Sequence, residues 1–327
     1  MCRGLFVVPV TWKEVTLEYI LDTGADGWST DPDSLERLKG KRYKNGKRVT
    51  LRNGEAGPLK LKKVKTRVHE MDHLALALGR HIDGIMGMNT FSEVMLELDY
   101  PGRQVRAGSG SLPEEDGRQV LKDYGKSRPF IRLDLDGKGV PLLIDSGFTG
   151  ALDLHEDDPL SWAFEPTMVH VAVRYSEVQL QYAGRLAMDL QIGPLSLPGP
   201  VTGTTDGTRL LGAEVLQYLQ LTFDRQARRV QILAPDTQTV DLPSYRSWGL
   251  GLRPRRNGLE ITGVFSGTPA ESAGLKKGDL LTHIDGVFVH ERGCRGVNEE
   301  VPDRALMTIQ RDDTALDVEV ASAILVP

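Results

Sequence analysis

A short phrase occurs twice in this chain, and the residues after it recur at nearly the same intervals. Ile20-Leu21-Asp22-Thr23-Gly24-Ala25 returns as Leu143-Ile144-Asp145-Ser146-Gly147. Asp22 to Gly87 is 65 residues and Asp145 to Gly212 is 67. Gly87 to Asp99 and Gly212 to Asp224 are both 12, and Gly87 to Val105 and Gly212 to Val230 are both 18. Upstream, Phe6 to Asp22 is 16 and Phe130 to Asp145 is 15. Asp-Thr-Gly or Asp-Ser-Gly alone is an ordinary turn sequence. Matched intervals on both sides make an internal repeat of roughly 120 residues, so the two halves should fold alike.

Each half reads as short strands. Leu5 to Val10 and Val15 to Leu21 suggest a hairpin that ends at Asp22. Asn45-Gly46 and Asn53-Gly54 are turn signals in a segment, Arg37 to Arg67, with thirteen Lys or Arg and one acid, Glu55. A short helix is expected over Met71 to Leu78. Ala107 to Arg128 is polar and rich in Gly, Ser and acids, which suggests a linker before the pattern restarts at Phe130. A second linker is expected over Pro235 to Ser247.

Composition removes several function classes. A chain of 327 residues suits two or three domains. Its net charge of −5 does not suggest a nucleic-acid binder. No apolar run approaches the length of a membrane span. The start, Met1 to Val10, is a poor signal peptide, so the default expectation is the cytoplasm, or the cell envelope if an export signal precedes this sequence. Cys2 and Cys294 are too few for a disulfide framework or a metal site and are expected as unrelated thiols.

The repeated phrase carries chemistry that one carboxylate lacks. Two carboxyls within hydrogen-bond distance cannot both ionise cheaply and share one proton over a wide pH range. The ionised member can take a proton from water while the protonated one polarises a carbonyl. Asp22 and Asp145 are the candidate catalytic pair. Thr23 and Ser146 offer hydroxyls that would bond across the interface, and Gly24 and Gly147 would let two backbones approach closely. Ile85-Met86-Gly87 and Leu210-Leu211-Gly212 would pack beneath the two loops. No metal or other cofactor is needed.

Asp22-Thr23-Gly24-Ala25 resembles the motif of retropepsin-type aspartic proteases. Asp145-Ser146-Gly147-Phe148-Thr149-Gly150 looks like bacterial members of that clan. The resemblance covers about residues 5 to 233. It implies an aspartic endopeptidase acting on peptide or protein substrates, barrel-like lobes, and a flap over the cleft. Both lobes lie on one chain, so a monomer suffices for the site. Counting from each Asp puts the flaps near Arg42–Arg52 and Glu165–Tyr175. Phe148 departs from the pattern, because a small residue commonly stands there.

The run Gly267 to Gly286 resembles a PDZ domain, and Gly249-Leu250-Gly251-Leu252 resembles its carboxylate-binding loop. That implies a C-terminal peptide as ligand, added as a strand to a sheet edge. A second helix is expected over Glu291 to Val301. The expected fold is therefore mainly β: two tandem retropepsin-like acid-protease lobes of β-barrel type, forming a pseudo-dimer, followed by a PDZ domain. The expected domains are residues 1–110, 111–235 and 245–327. The alternative is a catalytically inactive peptide-binding or scaffold protein that uses the cleft and the PDZ groove.

Two further signals point elsewhere. His69-Glu70-Met71-Asp72-His73 spells a zinc-binding helix motif, but the charged Asp72 argues for a solvated helix start. The basic run would attract acidic peptides, but a solvated hairpin face explains it as well.

Overall fold

Alternating side chains build the first unit. β1 (Val7–Trp12) and β2 (Val15–Asp22) form a hairpin that turns Val10, Trp12, Leu17, Tyr19 and Leu21 inward. β3 (Trp28–Thr30), α1 (Pro32–Lys39), β4 (Arg48–Ala56), β5 (Leu59–Val68), α2 (Asp72–Leu78) and β6 (Gly84–Gly87) follow. α1 starts where Asp31 accepts hydrogen bonds from the N–H groups of Asp33 and Ser34. In the computed structural model, which describes residues 1–174, 177–294 and 301–327, these strands close into a barrel in the order β1-β2-β6-β3-β5-β4.

The basic run is the outer face of this barrel. On β5, Leu61, Val64, Thr66 and Val68 are buried while Lys60, Lys62, Lys63, Lys65 and Arg67 are exposed. Asn45-Gly46 does turn. Asn53-Gly54, expected as a second turn, is a kink inside β4. Asn53 has φ of 56° and drops out of the ladder between Arg52↔Lys63 and Gly54↔Leu61. A Cβ on Gly54 would lie 2.4 Å from the Trp12 ring, so the glycine makes room for that indole.

β7 (Met95–Asp99), β8 (Gln104–Gly108) and β9 (Val120–Lys122) lead into the second unit. This comprises β10 (Phe130–Leu135), β11 (Lys138–Ile144), β12 (Leu152–His155), β13 (Trp162–Arg174), β14 (Glu177–Leu186), β15 (Leu190–Ile192), β16 (Leu195–Leu197), β17 (Val201–Thr205), β18 (Leu210–Leu211) and α3 (Ala213–Leu216). β19 (Gln220–Asp224) and β20 (Arg229–Leu233) end it. The expected first linker is structured in part, since β9 pairs with β20. One sheet, β8-β7-β19-β20-β9, joins the two repeats, with Leu98 opposite Leu221. A single apolar core runs through both.

The second unit's sheet, β10-β11-β18-β12-β17-β14-β13, stays open where the first closes. β1 reaches β4 through Trp12↔Gly54, whereas β10 pairs only with β11 among the described residues. β13 is one strand more than the first barrel has, and it pairs along β14, the counterpart of β4. Register shifts between Trp162 and His170 bend it.

The C-terminal unit has its own core, around Trp248, Ile261, Leu281 and Met307. Its elements are β21 (Tyr245–Ser247), β22 (Leu250–Arg255), β23 (Gly258–Val264), α4 (Pro269–Ser272), β24 (Leu280–Ile284), β25 (Val287–Phe288), β26 (Arg304–Arg311), β27 (Thr314–Ala321) and β28 (Ala323–Val326). β21 therefore lies inside the expected second linker. Of the expected second helix, only Glu291 and Arg292 are helical, as the end of the 3-10 turn Val289–Arg292; residues 295–300 lie outside the described residues.

This unit packs on both others. Its edge strand β22 comes within 8 Å, Cα to Cα, of β13 and of α2. Val326 on β28 is buried with Val169 and Ala183 of the β13–β14 hairpin. Arg256 pairs with Asp72 at 3.0 Å. The two cysteines, expected as unrelated thiols, form a disulfide, with Cα atoms 4.8 Å apart. Separation along the chain concealed a closeness in space: the N-terminal arm, with Leu5, shares a buried cluster with Leu78 and Ile82, next to the C-terminal unit.

Candidate active site

Parallel pairing places the two candidate carboxylates at equivalent strand ends. β2 runs beside β6 with Asp22 opposite Gly87. β11 runs beside β18 with Ile144 opposite Leu211, and the Asp145 N–H donates to the Leu211 carbonyl at 2.9 Å. The two apolar-apolar-Gly triplets thus do flank the loops. A Cβ on Gly87 would lie 2.4 Å from the Gly27 carbonyl oxygen, and one on Gly212 would lie 2.4 Å from that of Gly150. The Phe148 ring rests against Gly150 and Gly212, in space that side chains there would fill.

The two loops are latched by reciprocal hydrogen bonds. The Thr23 N–H donates to Ser146 Oγ at 3.0 Å, and the Ser146 N–H donates to Thr23 Oγ1 at 2.9 Å. Each hydroxyl then donates onward across the interface: Thr23 Oγ1 to the Ile144 carbonyl at 2.6 Å, Ser146 Oγ to the Leu21 carbonyl at 2.9 Å. Both side chains are fully buried, so every one of these bonds replaces lost hydration.

Glycine is required next. A Cβ on Gly24 would lie 2.3 Å from the Asp145 carboxyl, and one on Gly147 would lie 2.5 Å from that of Asp22. With both absent, the two carboxyls reach each other and share a hydrogen bond. The Ala25 N–H donates to Asp22 Oδ1 at 2.9 Å, and the Gly147 N–H to Asp145 Oδ1 at 2.8 Å. All seven predicted residues of this site therefore meet at one place.

The pair is electrostatically unequal. Burial pushes the Asp22 carboxyl up to about 8, and the nearby charge of Asp145 and the shared hydrogen bond push the same way. Burial raises Asp145 as well. There the hydrogen bonds from Gly147 and Asp22 and the charge of Arg128 oppose it. Both carboxyls are raised, so the pair holds on to a shared proton, and Arg128 adds a positive charge on the Asp145 side only.

Arg128 was invisible in the sequence. Its Nη1 donates to the Gly24 carbonyl at 3.4 Å, and its Nε lies 3.6 Å from Asp26. The ladders align Val7 with Phe130, which puts Leu5 at the equivalent place in the first half, so only the second half has a guanidinium at this position. Tyr100 was missed too. It is buried against Phe6, and among the described residues its hydroxyl has no hydrogen-bond partner. Burial raises its pKa, and the charges of Asp145 and Asp22 add to that.

Other expectations fall elsewhere. Gly249, Leu250, Gly251 and Leu252 open the C-terminal sheet, with Leu250 opposite Val264. Gly249 has φ of 86°, and its carbonyl accepts from the Phe265 N–H at 2.9 Å. The segment expected as a first flap, Arg42–Arg52, is loop and barrel strand, because β4 is tied to β1. The second, Glu165–Tyr175, falls on β13 up to residue 174; residue 175 lies outside the described residues. α2 begins at Asp72, beyond His69, so the two histidines do not share a helix. Among the described residues no helix is long and apolar enough to cross a membrane.

No family model matches the chain, and neither does any curated protein. Among the solved structures that resemble parts of it are two that follow. One is a PDZ domain protein from Parabacteroides distasonis, 24% identical over 25% of this chain and 20% of that one, with a TM-score of 0.22. The other is a retropepsin-like aspartic protease from Rickettsia conorii, 19% identical over 28% of this chain and 70% of that one, also with a TM-score of 0.22. At that level neither likeness decides the chain's fold or activity.

Proposed function

We propose that the chain is an aspartic endopeptidase whose catalytic pair is Asp22 and Asp145. The observation that carries this is the hydrogen-bonded pair of carboxyls, each held by an N–H of its own loop. In the one-proton state, Asp145 is the base. It takes a proton from a water between the carboxyls, and the water oxygen attacks the scissile carbonyl carbon. Asp22 gives its proton to the carbonyl oxygen, leaving a neutral gem-diol. On collapse of that diol the C–N bond breaks: Asp145 gives its proton to the departing nitrogen and Asp22 takes one from a diol hydroxyl, which restores the one-proton pair. Thr23 and Ser146 hold the geometry.

For the C-terminal unit we favour a docked role over an open peptide binder. The edge strand β22, which would receive a ligand strand in a PDZ-type groove, lies beside β13 and α2. Digestion of a proteome-derived peptide library by wild type, Asp22→Asn and Asp145→Asn tests the catalytic assignment. Cleavage by the wild type alone supports it. Equal cleavage by all three sinks it.

A further inference from the structure

A cavity of about 950 Å³ starts at the Asp145 loop and runs outward to the seam with the C-terminal unit. On the second unit's side it is lined by Gly147, Phe148, Ala151, Val169, Ala183 and Val201. These come from the catalytic loop, the β13–β14 hairpin and β17. The outer wall has another origin. Arg3 reaches it from the N-terminal arm, and Leu242 to Arg246 from the segment entering the C-terminal unit. The lining sets apolar side chains beside Arg3, Asp153, Gln181, Glu214, Ser244 and Arg246.

Three independent ties hold that outer wall. Arg185 on β14 donates to the Leu242 carbonyl at 3.3 Å and to the Gly199 carbonyl at 2.8 Å. Arg246 pairs with Asp303 at 2.8 Å and donates to Ser322 Oγ at 3.0 Å. Arg3 follows Cys2, whose disulfide fixes the arm to Cys294. The wall is therefore built into the fold. The volume is at the upper end of the range for ligand sites and holds several residues of an extended peptide, at about 3.3 Å each.

Resting on the aspartic-protease reading above, we propose that this cavity binds the substrate on one side of the scissile bond, with Arg3 and Leu242 to Arg246 as its specificity-determining outer wall. The preferred substrate is an extended peptide with an apolar side chain next to the scissile bond, beside Phe148, and polar or charged residues several positions further out. The C-terminal unit thus selects substrate through the segment that leads into it, and needs no groove of its own for that.

The test uses fluorescein-labelled statine peptides, lengthened one residue at a time on either side of the statine. Binding is read by fluorescence anisotropy on the full chain. For the wild type, lengthening on one side strengthens binding by at least about tenfold over several residues. Ser244→Trp, at an exposed position on the wall, removes that gain, and Ser244→Ala keeps it. A ladder that Ser244→Trp leaves unchanged overturns the assignment. A second readout does not depend on how Trp is accommodated. Both native cysteines are paired, so Ser244→Cys adds a lone thiol. A bound long statine peptide should slow its reaction with maleimide at least about fivefold relative to a short one. Equal rates count against the wall. If statine peptides bind equally to wild type, Asp22→Asn and Asp145→Asn, or to none, the protease reading fails and the half-site with it. If they bind through the pair but ignore residue 244, only the wall fails.

Discussion

Arg128 lies 3.6 Å from Asp26 across the interface between the two repeats, and the symmetric position in the other half is Leu5. A near-duplicate chain therefore has an unequal pair of carboxyls. The guanidinium lowers Asp145 and leaves Asp22 without a matching cation. Arg128→Gln should raise the lower apparent pKa of the kcat/KM profile, and Arg128→Lys should restore it in part. A pH–rate series on one cleaved peptide reads this. A purely structural role would lower activity evenly across pH.

Asp22→Asn and Asp145→Asn should each reduce peptide cleavage on the order of a thousandfold or more. Their stabilities should differ from wild type in a pH-dependent way. The folded Asp22 carboxyl is raised above its unfolded value, to about 8. Between those values the native state holds more protons than the unfolded one, so stability falls as pH rises. Asp22→Asn removes that loss. Its melting temperature should gain on the wild type between pH 4 and pH 8, as followed by circular dichroism.

Thr23→Val strands the Ser146 N–H and the Ile144 carbonyl in a buried interface. The expected loss is about 2–4 kcal/mol, measured by urea unfolding. Ser146→Ala should cost a similar amount. Because the two residues satisfy each other, the double variant should cost clearly less than the two losses added. Strict additivity would mean the latch is not a unit.

The Cys2–Cys294 bond spans 292 residues. Thiol titration in denaturant should find no reactive thiol before reduction and two after it. Cys294→Ser should lower the melting temperature under oxidising conditions, with a loss of up to about 5 kcal/mol on chain-entropy grounds. Two free thiols in the unreduced protein would contradict the pairing.

Local pattern made much of the site readable. The Asp-Thr-Gly and Asp-Ser-Gly phrases and their intervals are short-range features, and the structure brings Asp22, Thr23, Gly24, Ala25, Ser146 and Gly147 together with Asp145. Strand alternation gave the β character. What stayed hidden depends on long-range pairing. β9 has only three residues, too few to show a period within a polar stretch. The flap was placed by counting, but counting cannot tell a barrel strand such as β4 from a free hairpin. Arg128 looks like any linker arginine until the other repeat folds against it. The cysteines gave no sign of pairing, because nothing in the residues between them reports where the chain ends meet.

That last bond changes the molecule's topology as well as its stability. With residues 2 and 294 joined, nearly the whole chain is a covalent ring. A single cut anywhere inside it opens the ring without releasing a fragment. If this chain hydrolyses peptide bonds, including its own, a nicked molecule would keep its mass but for one added water, and would separate into two pieces only when reduced.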